Sequence, residues 1–294
     1  MDAFRLDARQ VRRAFERAAR QGADAAALQG EVERRMLERL EYVRLLPRRV
    51  LDAGCGTGRG LGLLRNRYPR ADLLGVDFAR AAIGAASRSE SLPGRVRRFL
   101  HGAQSVYLCA DFARLPLPAG TIDMVWSNLA LAWADDPLAA LREFQRVLAP
   151  GGLLMFSSYG PDTLKELKSA FTSGSSARRV HPFMDMHDLG DMLLACGFAA
   201  PVMDVEKITL TYARAEDLAR DLKASGETCA ALDRSRTLTG RGAWGRMLAA
   251  YESERKDGRL SATVEIVYGH AWKGEPRDAG EGRQIVKWAK KIPG

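Results

Sequence analysis

Cysteine is scarce and scattered in this 294-residue chain: Cys55, Cys109, Cys196 and Cys229 lie far apart and form no CxxC pair. The four histidines, His101, His181, His187 and His270, make no HxxxH or HExxH pattern. These absences argue against a disulfide framework and predict no metal site. No apolar run reaches the roughly 18 to 20 residues that span a bilayer. The opening MDAFRLDARQVRRAFERAAR mixes acids with its arginines and has no signal-peptide apolar core, so a soluble, cytoplasmic protein without membrane contact is expected. Aromatics make up only 7% of residues, and no stretch interleaves them with the basic ones. The net charge of +9 therefore favours acidic partners in general and predicts no nucleic-acid binding.

What is present is an apolar content of 46%, enough for one sizeable domain with additions. Residues 8 to 46 carry apolar residues at helical spacing (Val11, Phe15, Ala18, Ala19, then Val32, Met36, Leu40, Val43), interrupted at Gly22, which predicts two leading helices. From residue 48 the pattern alternates. RRVLDAG, ADLLGVD, SVYLCAD, IDMVWSN and LLMFSS read as buried strands, and helices at GRGLGLLRNRYP, ARAAIGAASR and DPLAALREFQRVL separate most of them. Asp136 is the expected N-cap of the third of these helices, with Pro137 at its first position. Continuous apolar strands alternating with helices predict an α/β fold: a doubly wound parallel sheet covered on both faces. Beyond residue 160 the rhythm changes. Helices are expected at PDTLKELKSAF, at MHDLGDMLLACGF closed by Gly197, and at residues 215 to 225 and 242 to 256. Strands are expected at VMDVEKITLTY and ATVEIVYGHAW. The division is then N-terminal lid helices over 1–46 and a catalytic domain over 47–272. Helical insertions at about 160–200 and 213–258 form a cap, and 273–294 is a loose tail.

In open α/β sheets the ligand sits beyond the carboxyl ends of the strands, where VLDAGCGTGRG lies. Gly54, Gly56 and Gly58 follow G-x-G-x-G, which matches neither the G-x-G-x-x-G of dinucleotide sites nor a P-loop. Asp52 suits a ligand carrying an ammonium or sulfonium charge, and Cys55 is a small residue within the same turn. Asp77 ends the next strand, where its two oxygens can accept from both hydroxyls of a ribose. Asp111 can accept from an adenine amino group, with Phe112 or Phe78 packing on the purine. Three carboxylates repel a diphosphate. They suit S-adenosylmethionine, which has an amine, a ribose and an adenine but no phosphate.

VLDAGCGTG, the acid of LLGVDFA, CADFARLPLPAGTIDMVWSNLALAW and LAPGGLLMFSS resemble the successive motifs of class I S-adenosylmethionine-dependent methyltransferases. That resemblance implies a Rossmann-like sheet of seven strands, mostly parallel, with the last antiparallel. From about residue 9 to 272, the segments FERAA, ALQGEVERRMLERL, YGPDTLKELKSAF, LTGRGAW and YGHAW are similar to the BioC family. These are malonyl-acyl-carrier-protein O-methyltransferases of biotin synthesis. The similarity implies methylation of the free malonyl carboxylate, on an acidic acyl carrier protein or on coenzyme A, by a monomer or weak dimer. One departure stands out: family members place a tyrosine-aspartate pair after F-x-R-A-A, where this chain has Gly22 and Ala23.

Such a reaction needs positioning rather than acid or base catalysis, because a carboxylate is already ionised at pH 7. Asn128 and Ser127 after strand four, Trp133, and Tyr159 after strand five are the candidates to position the reactants. Asn128 is also a candidate for the cofactor. Arg142, His181 and Arg178 are candidates to offset desolvation of the carboxylate. Arg178, Arg179, Arg234, Arg236 and Arg241 are the expected basic rim for the acidic carrier. HPFMDMHDLGDMLLACGF, GPDTLKEL and DLKASGETCA are also similar to complex I assembly factors, which implies arginine hydroxylation of a partner. A noncatalytic S-adenosylmethionine-binding factor is the third reading.

Overall fold

The computed structural model describes residues 5–21, 27–89, 103–172, 179–234 and 240–274. The Gly22–Ala23 departure, His101, Arg178, Arg236 and residues 275–294 of the expected tail fall outside these.

Seven strands form one sheet in the order β3-β2-β1-β4-β5-β7-β6. They are β1 (Arg49–Ala53), β2 (Asp72–Asp77), β3 (Ser105–Cys109), β4 (Ile122–Ser127), β5 (Leu148–Tyr159), β6 (Phe198–Tyr212) and β7 (Leu260–Lys273). Strands β1 to β5 pair in parallel, and β7 runs antiparallel to both β5 and β6. The seven strands, their mostly parallel pairing and the reversed last strand are those the motifs implied.

The helices are α1 (Ala8–Gln21), α2 (Ala27–Arg39), α3 (Arg59–Arg67), α4 (Arg80–Ser89), α5 (Pro137–Val147), α6 (Lys165–Thr172), α7 (Met186–Ala195), α8 (Ala215–Ala224) and α9 (Arg241–Glu252). Asp136 caps α5 as expected, its side chain accepting from the Ala139 N–H at 2.9 Å. Such a cap is worth about 1 kcal/mol. Gly197 follows α7 at φ 81°, the left-handed stop read from the sequence.

Two apolar cores flank the sheet. One packs Val32 and Met36 of α2, Leu40 just after it, and Leu61 and Leu64 of α3 onto Val50, Met124 and Trp126. The other packs Leu141, Phe144 and Val147 of α5 and Leu189 and Leu193 of α7 onto Leu51, Val125 and Leu154. A third core lies apart from both. It joins Leu218 of α8 and Met247 and Tyr251 of α9 to Leu260 and Ala262 at the start of β7. The cause is in the register. Tyr159, the end of β5, pairs with Ile266, whereas β6 and β7 pair onward to Tyr212 and Leu260. The β6–β7 hairpin therefore overhangs the carboxyl edge of the sheet by roughly 20 Å, and the cap helices are built on that overhang.

Candidate active site

The turn after β1 is shaped by three glycines in the left-handed region, Gly54 (φ 84°), Gly56 (φ 53°) and Gly58 (φ 86°). At Gly54 a side chain is also excluded by space, since a Cβ there would overlap the Ala130 Cβ. The Gly54 and Cys55 N–H groups both donate to the Val76 carbonyl, at 2.8 and 3.0 Å, which ties the turn to the end of β2. The Cys55 thiol is buried, and burial pushes its pKa well above 9. It is a packing group rather than a nucleophile.

Asp77 holds the turn in place. Its Oδ2 accepts from the Gly56 N–H at 3.0 Å and its Oδ1 from the Ala79 N–H at 2.8 Å. A carboxylate offers about four lone-pair directions, so two remain for further donors. Burial raises its pKa above 3.8, against the pull of those two backbone N–H groups. Asp52, 3% exposed, is raised well above 3.8, first by burial and then by the charges of Glu33 and Asp77.

Glu33 of α2 was not singled out in the sequence. It lies buried beside Asp52: a Cβ placed on Gly60 would stand 3.0 Å from both the Asp52 Oδ2 and the Glu33 Oε1. Burial pushes the Glu33 carboxyl up to about 7, opposed by Arg59, whose Nε lies 3.5 Å away, and by Asn128. Among the described residues, Glu33 Oε2 and Trp126 Nε1 are buried without a hydrogen-bond partner. Three buried carboxylates thus converge around a glycine turn, with Arg59 as the one cation paired to them among the described residues. That donor set fits a cationic ligand and opposes a phosphate. The signal for Glu33 is in the sequence, an acid next to Val32 on the helix face that also carries Met36.

The other candidates divide into groups. Ser127 Oγ donates to the Ala53 carbonyl at 2.8 Å. Asn128 Nδ2 donates to the Gln29 carbonyl at 3.0 Å, and its Oδ1 accepts from Ser157 Oγ at 2.8 Å. These side chains join β1, β4, β5 and α2 at the carboxyl edge. Phe112 is buried against Phe144, with ring centroids 5.7 Å apart, and one of its edge carbons faces Gly54. Asp111 is exposed and accepts from the Ala113 N–H at 2.8 Å.

Helix α1 closes over this region. Phe15 stands edge-on to Phe78 at 6.0 Å and to Trp133 at 5.4 Å. Glu16 accepts from the Arg80 and Ala81 N–H groups at 2.6 and 3.2 Å, so it caps α4 immediately after Asp77 and Phe78.

Trp133 forms the wall between this region and a second one. Its other neighbours are His181, at 4.4 Å between ring centroids, and Phe183, at 6.0 Å. His181, Phe183, Tyr159 and Gln29 line an apolar cavity of about 360 Å³ beneath the cap, closed by Leu218 and Met247. One polar cluster faces it. Tyr159 Oη donates to Glu227 Oε1 at 2.6 Å, Gln29 Nε2 donates to the same oxygen at 2.8 Å, and Ser225 Oγ donates to Oε2 at 3.1 Å. Burial raises the Glu227 pKa above 4.5 against the pull of these three donors and holds the Tyr159 hydroxyl well above 10. Of the candidates for the substrate carboxylate, His181 is on the cavity wall, whereas Arg142 is exposed on α5 and does not line it. Arg179 lines the cavity, Arg241 is exposed, and Arg234 is committed to Asp7 at 2.9 Å.

The strand order, the left-handed glycine turn and the acids that follow the first strands define the class I S-adenosylmethionine-dependent methyltransferase fold. A methyltransferase-domain family model matches residues 51–156. Two solved structures share the fold. YcgJ of Bacillus subtilis superposes with a TM-score of 0.55 at 15% identity, covering 82% of this chain and 98% of that one. A putative methyltransferase of Bacillus halodurans does so with 0.55 at 16% identity, covering 83% and 100%. Within that class the chain belongs to the malonyl-[acyl-carrier protein] O-methyltransferase family. It is 51% identical to the member from Laribacter hongkongensis, over 99% of each chain. It is 48% identical to the member from Gallionella capsiferriformans, over 99% of this chain and 100% of that one. It is 41% identical to a Coxiella burnetii member, over 92% and 89%.

Proposed function

We propose that this methyltransferase takes the methyl group of S-adenosylmethionine and places it on the free carboxylate of a malonyl group carried by an acyl carrier protein. The observation that carries the reading is the juxtaposition of two unlike compartments. A turn ringed by the buried carboxylates Glu33, Asp52 and Asp77 adjoins an apolar cavity across the Trp133–His181 wall. Asp77 would accept from the ribose hydroxyls, Asp52 and Glu33 would balance the cofactor's positive charge, and Phe78 and Phe112 would pack against its base. When bound, the cofactor supplies an electrophilic methyl group.

The protein's part is orientation and exclusion of water. The acceptor carboxylate needs no base, and a dry pocket makes it a stronger nucleophile. Desolvating that carboxylate is costly unless donors meet it. Gln29, through the second N–H of its amide, and His181 would supply them, and Tyr159, held by its bond to Glu227, would shape the wall beside them. Residues 1–46 serve as the lid and the insertions around 160–200 and 213–258 as the cap. Phe15 provides an aromatic cover from the lid in a chain that has Gly22 and Ala23 at the family's tyrosine-aspartate positions.

The test is growth. A biotin auxotroph lacking its own malonyl methyltransferase should grow without biotin when it expresses this chain. Soluble expression without rescue overturns the reading.

A further inference from the structure

Arginine is abundant in this protein, and several arginines are paired with acids. On α2, Arg34 pairs with Glu31 and Glu38, Arg35 with Glu31 and Glu206, and Arg39 with Asp204. Arg146, Arg220, Arg234 and Arg255 likewise each face an acid. Helix α1 differs in carrying five exposed arginines on one short helix. Arg9, Arg12, Arg13, Arg17 and Arg20 are all exposed, and only Arg20 has a carboxylate within reach among the described residues, Glu16 at 3.7 Å. That glutamate, the one acid on the helix, is turned to the N-terminus of α4.

At about 100° per residue the five arginines fall within an arc of roughly 140°, and Val11, Ala14 and Phe15 lie opposite. Arg9 to Arg20 spans about 16 Å. Like charges at i,i+4 spacing destabilise a helix by themselves. The arrangement makes sense where an anionic partner covers it.

We propose that this outward face of α1 is the docking surface for the acidic, helical carrier protein that presents the acceptor. The inference rests on the proposed function above. It places the dock on the lid rather than on the arginines of the cap, where Arg234 is already paired. The inner face of the same helix supplies the rest. Phe15 covers Phe78 and Trp133, and α1 packs so closely on Gly226 that a Cβ there would stand 3.1 Å from the Phe15 ring. Glu227, on the cavity wall, is the next residue. A carrier seated on the arginines is thus one helix thickness from the cavity, with the methyl-donor site beneath the same helix. No aromatic side chain lies among the five arginines to stack a base, and no large apolar side chain flanks them to enter a lipid surface.

The experiment compares the wild type with the triple variant Arg9→Glu/Arg13→Glu/Arg17→Glu. A control variant, Arg44→Glu/Arg48→Glu/Arg49→Glu, makes the same charge change before and at the start of β1, at the opposite edge of the sheet. Methyl transfer is measured with malonyl-carrier and with malonyl-pantetheine, and binding of fluorescently labelled carrier protein is measured by anisotropy at several salt concentrations. The α1 variant should raise KM for malonyl-carrier and Kd for the carrier about 10- to 100-fold and lose most of the salt dependence. Its kcat/KM for malonyl-pantetheine should match the wild type, and the control should behave as wild type throughout. Unchanged carrier binding in the α1 variant overturns the dock. So does an equal loss with both substrates, or tighter salt-sensitive binding of the wild type to RNA or anionic vesicles than to the carrier. A wild type that methylates neither substrate refutes the proposed function instead, and the anisotropy arm still decides the dock.

Discussion

Replacing Glu33 by glutamine should change stability in a way that depends on pH, and the size of the change follows from the site. The carboxyl is 8% exposed, and burial next to Asp52 lifts its pKa from an ordinary 4.5 to about 7. A carboxyl whose pKa is raised on folding favours the fold in its protonated form. Stability is therefore greatest below pH 4.5 and declines as pH rises towards 7, above which the whole cost is present. The gap between 4.5 and about 7, at about 1.4 kcal/mol per pH unit, amounts to roughly 3 kcal/mol. Glutamine keeps the shape and does not titrate. Urea unfolding of both proteins in steps from about pH 5 to pH 8 should show the variant gaining on the wild type by roughly 2 to 3 kcal/mol. Removing the Glu33 charge also relieves Asp52, which pushes in the same direction. A difference that stays flat across this range would refute the reasoning, because it would mean that Glu33 ionises normally as an ordinary ion pair with Arg59.

Gly54→Ala should destabilise by about 2 to 4 kcal/mol, since it meets both a left-handed backbone and the Ala130 side chain; chemical denaturation measures this. Asp77→Ala should weaken S-adenosylmethionine binding about 10- to 150-fold in calorimetry, the loss of a two-pronged contact to ribose, and unchanged affinity would refute the assignment. Tyr159→Phe removes the 2.6 Å bond to half-buried Glu227. It should cost about 1 to 3 kcal/mol of stability and lower methyl transfer to malonyl-carrier, with cofactor affinity unchanged in the same titration.

The sheet could be read from the sequence because its strands are short apolar runs between capped helices, and because the turn glycines have few substitutes at positive φ. Asp136, Gly197 and the paired strands at VMDVEKITLTY and ATVEIVYGHAW show how local those signals are. The overhang of the β6–β7 hairpin could not be read the same way. It depends on where β5 stops against β7, a register between residues about a hundred positions apart. Glu33 and Glu227 escaped notice for a related reason. A lone acid on a helix or in a polar loop reads as solvent-facing, and only the packing of α2 and the cap over the carboxyl edge buries them. Asp111, read as an acceptor for an adenine amino group, is exposed after β3 and accepts from the Ala113 N–H of its own loop.

Mass spectrometry shows directly whether these two compartments bring a sulfonium methyl to a malonyl carboxylate. Purified protein, S-adenosylmethionine and malonyl-carrier should give a carrier heavier by one methylene, with the gain lost on mild ester hydrolysis and absent when acetyl-carrier replaces malonyl-carrier. A carrier that stays unmodified while the protein binds S-adenosylmethionine would contradict it, as would a methyl group that survives ester hydrolysis.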